Sequence, residues 1–426
     1  MRSASNQSQR LFALDVLRGV AILFVLFRHT PDAGKWSGDL GSIGELALGA
    51  LRRVGWVGVD LFFVLSGFLI SGLLYKEFDR AGRIDLGRFW LRRGFKIWPS
   101  YFVAYGVVEL CRWWQAATTT GQIPWQRIQK ALPNFAFVQN YFPPSHRWPH
   151  SWSLAIEEHF YLLLPLLMLV VARMMRRTHP SGATDPFRAL TYCGAALAIG
   201  CLLLRLSLAL GGGTWEDAYY PTHCRVDGLF FGVLVGYLNR YHGSMLASVV
   251  HYWPLLLGIL FAALIVPLLW PIESSPFTWS VGFTLLYLGF GGLVAIAAVK
   301  PALGSQGPYM MAAPCQVLRF LGIYSYTIYL AHSVADSFPG TAALRRLANN
   351  WLGEGLATER VVYWTLSVAG GVVLSHVVER VALRWRDRVL PSHTANAILS
   401  PPQRDLVLTP PTAPSCIAQG DQALGQ

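Results

Sequence analysis

Charged residues are scarce in this chain. Asp, Glu, Lys and Arg make up only 14% of its 426 residues, whereas 53% of the residues are hydrophobic. A soluble globular domain carries about a quarter charged residues, so this composition excludes that class. It predicts a polytopic membrane protein, in which apolar segments of about 20 residues cross the bilayer as helices.

Cysteine is also sparse. The six cysteines are scattered, and the sequence contains neither a Cys-x-x-Cys pair nor a Cys/His spacing typical of metal ligands. We therefore expect no disulfide framework, no metal site and no bound cofactor. The sequence also lacks an internal repeat, which transporters usually show. A membrane transporter of a polar or acylated substrate stays an alternative, as does a receptor or assembly factor without chemistry.

Long apolar runs are what the sequence has instead. They predict an all-α polytopic membrane helix bundle of about ten transmembrane helices, near 11–30, 56–75, 96–114, 154–173, 189–209, 226–240, 252–270, 278–298, 317–335 and 361–380. The net charge of +12 reflects Lys and Arg, which gather in cytoplasmic loops of membrane proteins, so we expect no nucleic-acid partner. With the N-terminus inside, the cytoplasmic segments hold 20 of these residues and the outer segments 11. Both termini are therefore predicted to be cytoplasmic.

This topology divides the chain into three parts. Residues 1–10 form a cytoplasmic N-terminal segment, residues 11–380 the transmembrane domain, and residues 381–426 a Pro-rich, polar tail that is predicted to be disordered. The first apolar run is expected to stay in the mature chain, because no small-residue cleavage site follows it. Two long outer loops, 31–55 and 115–153, are where a hydrophilic substrate is expected to bind.

The first apolar run carries four ionisable residues, Asp15, Arg18, Arg28 and His29. Ionisable groups in a membrane helix are costly and usually face a cavity or the protein interior, which makes them candidates for function. Three helical turns separate Arg18 from His29, so both lie on one face, roughly 16 Å apart along the axis. Asp15 shares that face and can pair with Arg18. Alternatively, Arg28 and His29 only mark the helix end, where basic side chains reach the interface.

The second apolar run and the basic segment after it contribute candidates for substrate binding. Asp60 and Ser66 are expected to line a polar cavity. Arg92, Arg93 and Lys96 lie where the third helix leaves the cytoplasm, and they are able to clamp the phosphates of a soluble donor. The same three residues equally fit a role in fixing the membrane topology.

One face of the fourth run carries three polar residues at four-residue spacing, Ser153, Glu157 and Tyr161, all of which we take as site candidates. Glu158 is expected to point elsewhere. Glu157 lies near the same end of the bundle as His29, so it can orient the imidazole as the third member of a nucleophile, base and orienter set. Alternatively, Glu157 pairs with a structural arginine such as Arg225.

Two later runs complete the set of candidates. Arg225 and Asp227 lie at the outer mouth of the sixth span, where we expect them to bind substrate. Tyr329 and His332 share a face of the ninth span, one turn apart. His332 is a candidate for substrate binding, and the alternative is a histidine that only hydrogen-bonds between helices.

Together these segments resemble the acyltransferase-3 family over roughly residues 11–380. Three features carry the resemblance. The first is the Arg18-x10-His29 spacing, in which Arg18 is the arginine of Leu-Asp-Val-Leu-Arg-Gly. The others are the segments GVDLFFVLSGFLI and HSWSLAIEEHFY. The family's Arg-x-x-Arg-Ile-x-Pro pattern appears here from Arg93 onward, with Lys96 in place of the second arginine. That replacement keeps the charge but loses the bidentate fork. The family's Arg-x-Asp and Gly-x-x-Ser-Tyr patterns match the segments 225–227 and 322–326.

The resemblance implies a multi-pass enzyme of the bacterial inner membrane. Such an enzyme transfers an acyl group, expected to be acetyl, from acyl-CoA as co-substrate to a hydroxyl of a carbohydrate, such as exopolysaccharide or lipopolysaccharide, or of a glycosylated metabolite. Transfer needs a base, and a neutral imidazole is suited to that role. We therefore expect His29 to be the base, Glu157 to orient it, and Arg18 to hold the donor or its developing charge. Membrane lipid is a further expected partner, and a homo-oligomer is left open.

Overall fold

The computed structural model describes residues 2–31, 43–120, 126–142, 148–178, 185–300, 313–337, 340–352 and 355–391. These ranges are helical and contain no β-strand, which confirms the all-α prediction for the part of the chain they cover. In chain order the α-helices are α1 (Arg2–His29), α2 (Ile43–Val54), α3 (Val57–Ala81), α4 (Leu86–Thr120), α5 (Gln126–Phe135), α6 (Trp152–Thr178), α7 (Arg188–Leu210), α8 (Trp215–Tyr219), α9 (Thr222–Arg225), α10 (Asp227–Tyr241), α11 (Gly243–His251), α12 (Trp253–Leu269), α13 (Phe283–Val299), α14 (Ala313–Ile323), α15 (Ser325–Ser337), α16 (Gly340–Leu352), α17 (Leu356–Leu374) and α18 (Arg380–Val389).

All ten predicted apolar runs lie on helices, yet fewer of these helices are long and apolar enough to cross a membrane. Within the described ranges five meet that test: Val57–Ala81, Pro149–Arg177, Arg188–Leu210, Thr278–Val299 and Leu356–Val389. The pair α11 and α12, bent by 72°, gives a sixth if it is counted as one broken span. These helices are those of a multi-pass membrane protein. The number ten and the cytoplasmic location of both termini remain predictions.

Helix boundaries differ from the predicted domain boundaries at both ends. Helix α1 begins at Arg2, so the predicted N-terminal segment 1–10 largely continues the first helix. Residues 381–389, predicted to open a disordered tail, belong to helix α18, in which arginines and apolar residues recur at helical spacing. The rest of that tail, 392–426, lies outside the described residues.

Glycines set the distances between the central helices. A Cβ atom on Gly67 of α3 would lie 1.9 Å from the carbonyl oxygen of Leu229 on α10. On Gly322 of α14, a Cβ atom would lie 1.7 Å from the carbonyl oxygen of Asp15 on α1. Neither pair of helices can approach this closely with a larger residue, because small residues are what allow backbones to meet in membrane bundles.

Two buried ion pairs join α3 to α9 and α7 to α10. Arg225 donates to Asp60 at 2.8 Å, and Arg205 lies 2.8 Å from Asp227. The Arg205 guanidinium also donates to the backbone carbonyls of Ser280 and Cys224, so its charge is surrounded by acceptors. Asp60, Arg225 and Asp227 are thus engaged with neighbouring helices, and the alternative pairing of Glu157 with Arg225 does not occur.

Candidate functional site

A cavity of about 560 Å³ opens between α1, α3, α4, α6 and α15. This volume lies within the range of small-molecule sites. On α3 alone the lining extends from Val59 to Lys76, a distance of roughly 25 Å along the helix. Of the residues selected from the sequence, the cavity is lined by Arg18, Ser66, Arg93, Lys96, Ser153, Glu157 and Tyr161. The cavity is therefore elongated and collects polar side chains from four predicted spans.

Basic side chains make this cavity positive. Lys96 is paired with Glu379 of the turn that precedes α18. Neither Arg18 nor Arg93 forms an ion pair with any described residue, although the Arg93 guanidinium lies 5.9 Å from the ring centroid of Phe89. Guanidinium groups without a carboxylate partner attract an anion, and their planar donors match the geometry of phosphate.

Other predicted binding residues lie outside the lining, and they are Asp15, Asp60, Arg92, Arg225, Asp227 and His332. Arg92 faces away from the cavity, where it donates to the carbonyl oxygen of Leu390 at 2.6 Å and lies 3.6 Å from Asp387. The predicted pairing of Asp15 with Arg18 is not formed among the described residues. The three adjacent cations of the basic segment thus have different surroundings, and only two of them reach the cavity.

The predicted polar face of α6 is present and forms a hydrogen-bonded chain. Tyr161 donates to Glu157 at 2.8 Å, and the Ser66 hydroxyl lies 2.6 Å from the same Tyr161 oxygen, which leaves Ser66 as the donor of that contact. Glu158 was expected to point elsewhere, but it also lines the cavity, where it accepts from the indole N–H of Trp98 at 3.0 Å. Two adjacent glutamates therefore border the cavity.

Three histidines meet beside one end of this cavity. His29 ends α1, His150 lies in the short turn before α6, and His332 lies on α15. The ring centroids are separated by 4.2 Å for His29 and His150, 4.8 Å for His150 and His332, and 5.1 Å for His29 and His332. One ring nitrogen from each residue lies within 4.8 Å of the other two. We call these residues the histidine cluster.

Backbone carbonyls fix the tautomers of two of these rings. Nδ1 of His29 lies 2.9 Å from the carbonyl oxygen of Val25, and Nδ1 of His332 lies 2.5 Å from that of Tyr329. A carbonyl can only accept, so each Nδ1 carries the proton and each neutral ring keeps its lone pair on Nε2. The Nε2 atom of His332 is buried and has no hydrogen-bond partner among the described residues. Val25, and not Glu157 as expected, is therefore the residue that orients His29.

Tyr329 joins the histidine cluster to the cavity. Its ring lines the cavity, its carbonyl oxygen holds His332, and its hydroxyl donates to the carbonyl oxygen of His150 at 2.6 Å. The same hydroxyl lies 2.7 Å from Oγ of Ser153, which acts as the donor of that contact. A molecule that fills the cavity as far as Tyr329 and Ser153 therefore stops next to the histidines.

His150 is the one member of the cluster that sequence reasoning missed. Its turn is held in place by neighbours far away in the chain, since Trp148 donates to the Ser333 hydroxyl and Gln139 donates to the Ser151 carbonyl at 2.9 Å. The signal was available, because His150 directly precedes the Ser-Trp-Ser-Leu segment that opens α6. Only the fold, however, brings this turn against α1 and α15.

Comparison with known proteins finds O-acetyltransferases, some of them named as putative, among the relatives. Peptidoglycan O-acetyltransferase OatA of Listeria monocytogenes is 26% identical over 341 residues, which are 75% of this chain and 48% of that protein. A Staphylococcus aureus protein named "Putative O-acetyltransferase" is 27% identical over 338 residues, 76% of this chain and 50% of its own length. A Bacillus subtilis protein named "Putative peptidoglycan O-acetyltransferase" is 27% identical over 333 residues, with 75% and 47% covered. The chain thus spans about half the length of the curated relatives it matches.

No solved structure matches the chain. The acyltransferase-3 family, described as an acyltransferase domain, matches residues 11–380. That range contains most of the cavity lining, including Arg18 and Arg93, and all three members of the histidine cluster. The chain belongs to the acyltransferase-3 family.

Proposed function

We propose that this protein is a membrane O-acyltransferase that moves an acetyl group from acetyl-CoA to a hydroxyl of a cell-surface carbohydrate. The observation that carries the proposal is the position of Tyr329, which closes a cation-lined cavity on one side and holds two histidines on the other. This arrangement supports an anionic donor in the cavity and a base at its end. The names of the relatives support acetyl as the group and a glycan as the acceptor.

The donor would occupy the cavity with its phosphates near Arg18 and Arg93. Coenzyme A is polyanionic at its nucleotide end and apolar along its pantetheine arm, and the lining offers unpaired guanidinium groups together with apolar side chains of α3. The thioester at the end of the arm would then lie near Ser153 and Tyr329. Under the predicted topology the basic end opens to the cytoplasm of a bacterial inner membrane, where acetyl-CoA is available.

His29 would act as the base. Its Nε2 lone pair accepts the proton of the acceptor hydroxyl while the hydroxyl oxygen attacks the thioester carbonyl carbon. The carbon–sulfur bond then breaks, and the CoA thiolate takes up the proton from the imidazolium, which restores the neutral ring. The products are the acetyl ester and CoA. His29 and His150 are only partly buried, and the acceptor would reach the cluster through these two residues.

Glu157, which was expected to orient His29, and Glu158, which was expected to point elsewhere, would both help to position the donor. Glu157 is bound to Tyr161 and Glu158 to Trp98, so both help to fix the cavity wall near the guanidinium groups. We assign them to donor positioning.

Mass spectrometry of surface glycans tests this function. A strain that lacks the gene is expected to lose one acetyl substituent per modified sugar, and wild-type protein is expected to restore it. Glycans that are unchanged in the deletion strain would contradict the proposal. Transfer of label from radiolabelled acetyl-CoA to glycan in membrane vesicles then separates an enzyme from a transporter, because a transporter would move substrate without forming the ester.

A further inference from the structure

We propose that His29, His150 and His332 form a binding site for Zn²⁺, and that Zn²⁺ bound there inhibits the enzyme. The inhibitory part rests on the proposed function, since it assumes that the His29 lone pair is the base. The metal-binding part stands on geometry alone. One nitrogen from each of three imidazoles lies within 4.8 Å of the other two, on side chains that come from α1, the turn before α6, and α15.

The tautomers are those of metal ligands. A histidine that binds a metal usually donates its other ring N–H to a carbonyl or carboxylate, which fixes the ring and its free lone pair. His29 and His332 do this through Nδ1, toward Val25 and Tyr329. In the part of the chain that the structure describes, the buried Nε2 of His332 has no hydrogen-bond partner, although buried polar atoms are normally satisfied. A cation placed in the cluster would satisfy it.

The ligand set selects the metal. Three neutral imidazoles without a carboxylate suit Zn²⁺ and similar transition metals, and they do not suit Mg²⁺ or Ca²⁺, which prefer oxygen. Zn²⁺ binds imidazole nitrogen at about 2.0–2.1 Å. Tetrahedral geometry then places ligand nitrogens roughly 3.3 Å apart. Movements of the rings by about 1–2 Å would therefore complete a three-histidine site.

Zinc and catalysis compete for the same electron pair. The lone pair on Nε2 of His29 can coordinate a metal or accept a proton from the acceptor, and it cannot do both at once. Bound Zn²⁺ would also occupy the space where the acceptor hydroxyl has to approach. We therefore expect Zn²⁺ to inhibit acetyl transfer over the concentration range in which it binds.

The test measures metal binding directly, with full-length protein purified in detergent through an affinity tag that contains no histidine. After treatment with a chelator, ZnCl₂ is titrated by calorimetry and bound zinc is counted by elemental mass spectrometry. We expect one Zn²⁺ per chain, no binding of Mg²⁺, and a rise in thermal stability with Zn²⁺ that follows mass action. His150→Ala and His332→Gln should each weaken zinc binding by more than about 100-fold, since each removes a ligand.

His376→Ala is the matched control. Nδ1 of His376 lies 2.8 Å from the carbonyl oxygen of Val372, four residues earlier, as Nδ1 of His29 does from that of Val25, but His376 is exposed and does not belong to the cluster. The His376→Ala protein should bind zinc like the wild type. Unchanged thermal unfolding of the metal-free His150→Ala protein would show that loss of binding is not loss of fold.

Absence of zinc binding by the wild-type protein would overturn the proposal, and so would binding that survives in both cluster variants. Zinc-loaded protein that is as active as metal-free protein would overturn the inhibitory part. These results are distinguishable from failure of the proposed function. A protein that binds one zinc through the cluster but transfers no acetyl group would refute the function and leave the metal site standing.

Discussion

The lining of the cavity predicts that two neighbouring arginines, Arg92 and Arg93, differ in their effect on CoA binding. Arg93 lines the cavity and forms no ion pair with any described residue, whereas Arg92 is directed toward Leu390 and Asp387. If Arg93 holds a phosphate of the donor, Arg93→Ala should weaken CoA binding and Arg92→Ala should not. The two variants remove the same charge from adjacent positions of one helix, so a general effect of charge on the membrane protein cannot explain a difference between them.

The expected size of the effect follows from the chemistry of the contact. A hydrogen bond to a charged group contributes about 1.5–3 kcal/mol, and each 1.4 kcal/mol is about tenfold in a dissociation constant. Arg93→Ala should therefore raise the Kd for CoA by roughly ten- to a hundredfold. Arg93→Lys keeps the charge but loses the bidentate fork, so its effect should be smaller. The ion pair of Arg92 is long, at 3.6 Å, and partly exposed to solvent, so it contributes little.

Isothermal titration of CoA into purified protein measures these constants without an acceptor. The Kd of the wild type should also rise with salt, because exposed parts of the phosphate contacts are screened. Thermal unfolding of each variant checks that Arg93→Ala has not lost its fold. Equal Kd values for the Arg92→Ala and Arg93→Ala proteins would refute the assignment of the phosphate site to this cavity.

Three further predictions concern stability, activity after truncation, and topology. Asp60→Ala should lower stability by about 3–5 kcal/mol, because it leaves the buried Arg225 without its carboxylate; an unchanged unfolding temperature would contradict this. Truncation after Pro391 should leave acetyl transfer intact, because the composition beyond it predicts no packed structure; a stable but inactive product would argue otherwise. In a cysteine-free background, Ile43→Cys should react with an impermeant thiol reagent in intact cells, and Ala81→Cys only after permeabilisation. The opposite pattern would reverse the predicted topology.

The helices and part of the cavity could be predicted from the sequence because both depend on local periodicity. All ten predicted apolar runs lie on helices, although only five of the described helices are long and apolar enough to cross a membrane alone. Four-residue spacing placed Ser153, Glu157 and Tyr161 on one face of α6, and all three line the cavity. These features follow from the geometry of one helix at a time. Features that depend on the geometry of a single helix could therefore be predicted from the sequence.

Features that depend on how helices pack could not be predicted in this way. Adjacent residues on a helix differ by about 100° in direction, and only the contact of α4 with the segment around Leu390 decides that Arg92 faces outward while Arg93 faces the cavity. His150 lies in a turn whose position depends on Trp148 and Ser333, 185 residues apart. His29 is oriented by Val25 of its own helix and not by Glu157. This too depends on how α6 packs relative to α1, which the sequence does not show.

The central claim is that His29 is the base of an acetyl transfer. The most direct test compares His29→Ala with wild type and with His376→Ala for transfer of radiolabelled acetyl from acetyl-CoA to glycan in membrane vesicles, at matched protein levels. We expect His29→Ala to lose at least about a hundredfold in rate, since general-base catalysis contributes typically 10²–10⁴-fold, while it binds CoA with an unchanged Kd. The His376→Ala protein should retain wild-type activity. Transfer by His29→Ala at a rate near that of the wild type would contradict the account.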